Sequence, residues 1–263
     1  MADARRDLTL PRTEDRYFSL RDPHIAAVAH RVGSHPGIPD NSLGALKRAA
    51  DLGFRYAEID LRATTNGQLV LWHGSGLSRL QTGRALDIRD LAHTASTNGL
   101  EPVNLETAIQ TLPNDMCFFL DLKDSISASL IGETARKLGV AHRLCIGSFS
   151  GSRTEAAVEK VEEATGVSPA QTVTPKQFIG LGLEAYLGVP LWPHSGLSAQ
   201  IPAWAATQRL IESAHKRNAV VIVWTVNTRE VMERMLDRGA DGIMSDDLPL
   251  LKLVLQERGL WAW

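Results

Sequence analysis

Residues 57–73 read AEIDLRATTNGQLVLWH. A β-strand sends alternate side chains to opposite faces, so in AEIDL the carboxylates of Glu58 and Asp60 share one face, and Ala57, Ile59 and Leu61 share the other. Thr65-Asn66-Gly67 is a tight-turn signal, and it leaves no room for a crossover before QLVLWH (68–73). The second arm therefore folds back as an antiparallel hairpin partner that ends in His73. Two carboxylates on one strand face suit a hard cation such as Mg²⁺ or Ca²⁺, which takes oxygen ligands. On a solvated strand edge the same pair would be two surface acids, so the neighbours decide.

Outward from this stretch, apolar strand-like runs alternate with helical patterns. The runs are IAAVAH (25–30), YAEIDL (56–61), CFFLDL (117–122), LCIGSF (144–149), SPAQTV (168–173), EAYLGV (184–189), VVIVWTV (220–226) and DGIMS (241–245). Segments such as SLGALKRAADLG (42–53) and TREVMERMLDRG (228–239) repeat apolar residues at helical spacing and stop at Gly. Alternating strands and helices imply parallel pairing through right-handed crossovers. Eight such units fit an α/β fold, a distorted (β/α)8 TIM barrel with a short hairpin after the second strand; a doubly wound open sheet is the alternative. Residues 1–24 read as an N-terminal extension and 25–263 as a single domain. The stretch VPLWPHSGLSAQIP (189–202) reads as one long apolar loop, with Trp192 a candidate wall of the substrate site.

Composition limits the partners. The chain has 263 residues, 44% hydrophobic and 22% charged, with a formal net charge of −2, which offers no broad electrostatic footprint for nucleic acid or an anionic membrane. A small-molecule partner is expected. No segment has the apolar core of a secretory signal or the length of a transmembrane span, and a cytoplasmic location follows as an expectation. Oligomeric state is not legible. Cys117 and Cys145 fall in apolar runs and read as buried thiols.

A barrel of this kind carries its chemistry at the carboxyl ends of its strands. The first run ends in His30-Arg31, the second carries Glu58 and Asp60, the third ends in Asp121 and Lys123, and the seventh contains Trp224. Any one of these could be a solvated strand end, and Trp224 is either a wall of the site or a packed indole. Together they converge on one mouth.

These residues carry a resemblance. AHR (29–31), PDN (39–41), EID (58–60), T-x-x-G (64–67), VLWH (70–73), LDLK (120–123), VWTVN (223–227) and GADGIMSD (239–246) resemble, in order, the motifs of the glycerophosphodiester phosphodiesterase family. The resemblance implies a phosphodiester hydrolase with one bound divalent cation, Mg²⁺ or Ca²⁺, held by Glu58, Asp60 and Asp121. It also implies His30 and His73 as the catalytic pair. Arg31 and Lys123, cations at the same rim, suit the negative charge that builds on a phosphodiester as it is cleaved, and Trp224 is the candidate wall for the substrate. Three positions depart from the family pattern: Asp40 and Asp121 stand where the family has Glu, and Gly74 where it has Asp. A related phospholipase D-like branch shows an Asp-x-Lys similar to that of 121–123 and releases a cyclic phosphate; lysophospholipase D-type cleavage of lipid phosphodiesters and a non-catalytic phosphodiester-binding barrel are the alternative readings.

Overall fold

The computed structural model describes residues 25–33, 35–73, 102–188 and 198–261. Eight strands form the barrel: β1 (Ala26–Ala29), β2 (Tyr56–Ala63), β5 (Cys117–Leu122), β6 (Leu144–Gly147), β7 (Ala170–Gln171), β8 (Ser198–Pro202), β9 (Val220–Trp224) and β10 (Gly242–Ser245). They pair in the order β7-β6-β5-β2-β1-β10-β9-β8, all parallel. A bridge between Thr172 and Ser198 joins the two ends of that row into a nearly closed TIM barrel. The described α-helices are α1 (Leu43–Asp51), α2 (Leu105–Thr111), α3 (Ser125–Leu138), α4 (Gly151–Thr165), α5 (Pro175–Leu187), α6 (Gln208–His215), α7 (Arg229–Asp237) and α8 (Leu248–Glu257).

The hairpin expected from Thr65-Asn66-Gly67 is present. β3 (Leu69–Leu71) runs antiparallel to β2, with Leu61 opposite Leu71 and Ala63 opposite Leu69. A further strand, β4 (Val103–Asn104), extends this flap by pairing antiparallel with β3. Two residues flanked by Pro and a capped helix carry too little periodicity for sequence reading to find.

Period-two alternation explains both core and site. On β2 the outward side chains Ala57, Ile59 and Leu61 pack with α1, α2 and α3 residues such as Leu46, Leu105 and Ile131. Facing the other way, Ala26, Val28, Tyr56, Cys117, Phe119, Cys145, Ile222 and Met244 fill the barrel interior. Continued one step toward the carboxyl ends, these inward rows reach His30, Glu58 and Asp60, Asp121, Trp224 and Asp246. The barrel thus changes from hydrocarbon to charge along its own axis. Cys117 and Cys145 are the buried free thiols expected; burial pushes Cys117 up to about 11.

One strand assignment is corrected. EAYLGV (184–189) is not a strand: 184–187 form the last turn of α5, and the barrel strand is β8, inside the stretch read as a loop. Thr174 caps α5 by a capping box with Gln177, Pro175 occupies its first turn, and Gly188 (φ 70°) ends it in the left-handed region. The helix is apolar on its exposed side as well, with Ile179, Leu183 and Leu187 in solvent, and this blurs the 3.6-residue period. Trp192 lies outside the described residues.

Candidate active site

β1 and β2 build the floor of the site. After Ala29 the chain turns sharply through a short 3₁₀ segment, His30–Val32, in which Arg31 (φ 47°) and Val32 (φ 61°) hold left-handed backbone that side-chain-bearing residues seldom adopt. The turn aims the Arg31 amide at Glu58, which accepts it through Oε2 at 2.9 Å. It also sets His30 between two carboxylates: Nδ1 donates to Asp246 Oδ1 at 2.6 Å, and Nε2 lies 3.9 Å from Glu58 Oε2. Asp246 is fixed in turn by Asn227, whose Nδ2 donates to Asp246 Oδ2 at 2.6 Å while its Oδ1 accepts the Asp246 amide.

Asp60, 1% exposed, is surrounded by donors. Lys123 Nζ lies 2.6 Å from its Oδ1, Arg31 Nε 3.4 Å from its Oδ2, and Asn41 Nδ2 donates to Oδ2 at 3.1 Å. Lys123 also pairs with Asp121 Oδ2, and parallel pairing of β2 with β5 places Asp60 directly opposite Asp121. Burial works against the Lys123 charge, but Asp121 and Asp60 outweigh it and raise its pKa.

Glu58, Asp60 and Asp121 each offer an oxygen within 4.8 Å of the others. Three signs show that they fit a cation. Asp121 Oδ1 is buried without a hydrogen-bond partner. Burial, followed by the charge of Asp60, pushes Glu58 up to about 8. Burial also raises Asp121, against the pull of Lys123. An all-oxygen donor set of this kind suits a hard divalent ion.

The two histidines are shifted in opposite directions. Burial disfavours charged His30, yet the hydrogen bond to Asp246 and the charges of Glu58 and Asp246 prevail and raise its pKa. His73, exposed at the end of the hairpin arm, is lowered by burial of its ring, opposed by Asp60 and reinforced by Arg31, Lys123 and His30. Beside the acids opens a cleft of about 330 Å³, lined by Glu58 and Asp121 and also by Trp224. The Phe149 ring meets Trp224 edge-on, with centroids 6.3 Å apart.

The structure therefore links His30, Arg31, Glu58, Asp60, Asp121 and Lys123 through close contacts, with Trp224 lining the cleft that Glu58 and Asp121 share and His73 near enough to feel the charges of Asp60, Arg31, Lys123 and His30. Sequence reading did not single out Asp246, Asn227 or Asn41 as site residues. All three carried a signal, since they end the PDN, VWTVN and GADGIMSD motifs, and Asp246 also follows the apolar run GIMS at the same rim. Gly74 lies outside the described residues.

A parallel (β/α)8 barrel with a buried acidic cluster and an oriented histidine at its carboxyl rim is the arrangement of a barrel enzyme's active site. Residues 30–250 match the model of the glycerophosphoryl diester phosphodiesterase family, and the chain belongs to that family and is an enzyme of the phosphoric diester hydrolase class. It is 32% identical over 260 residues to a probable glycerophosphodiester phosphodiesterase 2 of Mycobacterium tuberculosis, covering 92% of this chain and 95% of that one. A glycerophosphodiester phosphodiesterase of Caldanaerobacter subterraneus is 24% identical, covering 88% and 98%. Among solved structures, a putative glycerophosphoryl diester phosphodiesterase from Silicibacter pomeroyi superposes with a TM-score of 0.71 at 18% identity, covering 95% and 99%. An Oleispira antarctica phosphodiesterase in complex with the product sn-glycerol-3-phosphate does so at 0.63 and 19%, covering 89% and 97%.

Proposed function

We propose that the chain hydrolyses glycerophosphodiesters to glycerol 3-phosphate and an alcohol, with one divalent cation, Mg²⁺ or Ca²⁺, held by Glu58, Asp60 and Asp121. The observation that carries this reading is the meeting of those three carboxylates beside a histidine oriented by Asp246. The cation supplies positive charge against the nonbridging phosphate oxygens. Arg31 and Lys123, already at the rim, add charge where the transition state becomes more negative.

His30 is the nucleophile or general base. Its Nδ1 is committed to Asp246, so Nε2, which faces Glu58, is the nitrogen left to meet the substrate. Asp246 fixes the ring's tautomer and stabilises the charge it acquires, the part that a carboxylate plays behind any catalytic histidine. His73 is the general acid that gives a proton to the departing alcohol oxygen. Trp224 forms a wall of the substrate site.

The test is product analysis with and without chelator. Untreated enzyme should release glycerol 3-phosphate and free alcohol from glycerophosphocholine. Excess chelator should abolish this reversibly, and His30→Ala and His73→Ala should each lower turnover at least about a hundredfold. Full activity in chelator with no metal retained would remove the cation from the mechanism. A cyclic glycerol phosphate as the end product would replace hydrolysis by internal transfer.

A further inference from the structure

Two of the cations near the acids are already paired: Lys123 with Asp60 and Asp121, and Arg31 with Asp60. Arg62 and Arg153 are not. Arg62 continues the row of Glu58 and Asp60 by one alternation along β2, roughly 7 Å beyond Asp60 along the strand. Its Nε and Nη1 are buried without a hydrogen-bond partner. Arg153, in the first turn of α4, is held by Nη1, which donates to the Leu122 carbonyl at 2.9 Å and to Ser148 Oγ at 3.0 Å. Its Nε is also buried and unpartnered. Among the described residues neither guanidinium meets a carboxylate.

The two arginines share one neighbourhood. Besides burial, Arg62 feels the charges of Asp124, Asp60, Arg153 and Asp121, and Asp121 feels Arg153 in turn. A purely structural Arg62 would pair with Asp124, the carboxylate whose charge acts on it most. Asp124 instead turns one oxygen to the Ala63 amide and the other to the Ser127 amide, tying the end of β2 to the start of α3. A buried donor left without an acceptor costs free energy, and two like charges brought together repel. An anion relieves both, because its paired oxygens match the planar fork of a guanidinium.

The scissile phosphate is met by the cation, Arg31 and Lys123, and the glycerol unit is neutral. The part that varies among glycerophosphodiesters is the alcohol. We propose that Arg62 and Arg153 form a second anion subsite that takes a carboxylate or phosphate carried by the alcohol, so that the enzyme selects glycerophosphodiesters with an anionic head group. The proposal rests on phosphodiester hydrolysis at Glu58, Asp60 and Asp121, and it leaves the step at phosphorus unchanged.

Two matched pairs of substrates test it. Glycerophosphoserine and glycerophosphoethanolamine differ by one carboxylate; glycerophosphoethylene glycol and its terminal phosphate ester differ by one phosphate. In at least one pair kcat/KM should favour the anionic member by about tenfold or more, the lower range for a charge-assisted hydrogen bond, and the pair that does so tells carboxylate from phosphate. Arg62→Gln and Arg153→Gln should each lower that ratio, and Arg62→Lys, which keeps the charge, should retain part of it. Because both members of a pair share the metal and the chemical step, the ratio cancels any effect of a substitution on either. A second readout needs no turnover: with Mg²⁺ present, His30→Ala enzyme should bind the anionic member more tightly in titration calorimetry, and adding Arg62→Gln should remove the difference. Ratios near one in both pairs, with all four substrates hydrolysed, would overturn the subsite and leave the phosphodiesterase reading standing. A preference that survives both glutamine substitutions would overturn its assignment to these arginines. A binding preference that Arg62→Gln removes, without hydrolysis of any substrate by the unsubstituted enzyme, would support the subsite and overturn that reading.

Discussion

At the floor of the cleft Glu58 is poorer in positive partners than Asp60. It accepts one backbone amide and faces His30 across 3.9 Å, whereas Lys123, Arg31 and Asn41 all meet Asp60. Burial and the neighbouring Asp60 charge push Glu58 from its ordinary 4.5 up to about 8. Between those two values the metal-free folded chain holds a proton that the unfolded chain has released, so this group makes stability fall as pH rises through the window. A cation must displace the same proton. Metal affinity should therefore rise with pH by up to about tenfold per unit below about 8 and level off above it, and Glu58→Gln should remove the slope. Titration calorimetry over a pH series checks this; an affinity independent of pH in that window would exclude a protonated Glu58 from the ligand set. Glu58, Asp60, Asp121 and His30 were legible in the sequence because strand alternation and strand ends are local properties. The role of Asp246 behind His30 was not, since it depends on β10 closing beside β1, a contact across 216 positions.

Two helix glycines show how packing overrides propensity. Gly132, inside α3, faces α4 so closely that an added Cβ would overlap the Lys160 carbonyl oxygen and lie 2.6 Å from its carbon. Gly182, inside α5, has nothing within 4 Å of the same added atom. Alanine gains up to about 1 kcal/mol over glycine in a helix interior, but backbone cannot swing aside as a side chain can, and forced overpacking costs about 1–3 kcal/mol. Gly182→Ala should thus raise the denaturant midpoint, and Gly132→Ala should lower it. A stabilised Gly132→Ala would mean that α3 and α4 separate freely. The same helix α5 marks where element reading failed. Its exposed apolar side made EAYLGV look like a buried strand, whereas β8, SAQIP, with a proline and two small residues, carries little strand signal of its own. It is recognisable once β9 is beside it, pairing from Ser198–Val220 to Pro202–Trp224.

The whole barrel is unevenly closed. β2 and β5 pair through six residues and β8 and β9 through five, but β7 has only Ala170 and Gln171. Across the β7–β8 seam, the Thr172–Ser198 bridge includes the Val173 amide donating to the Ser198 carbonyl at 2.9 Å. The parallel order of strands was legible from alternating elements; this weak seam was not, because closure is a property of the complete ring. Opening free energy follows local pairing and packing. In native-state hydrogen exchange the Val173 amide should therefore exchange well before those of Phe119 and Leu120, which lie in the paired interior of β5. Thr172 and Val173 also line the cleft beside Glu58 and Asp121, so a ligand seated there binds the closed seam in preference to the open one. A glycerophosphodiester at a hundred times its dissociation constant should then raise the Val173 opening free energy by up to about 2.7 kcal/mol and change the β5 amides less. If Val173 exchanges as slowly as Phe119 without ligand, the seam is not the weak point of the ring. If it exchanges quickly but ignores ligand, seam opening and cleft occupancy are independent.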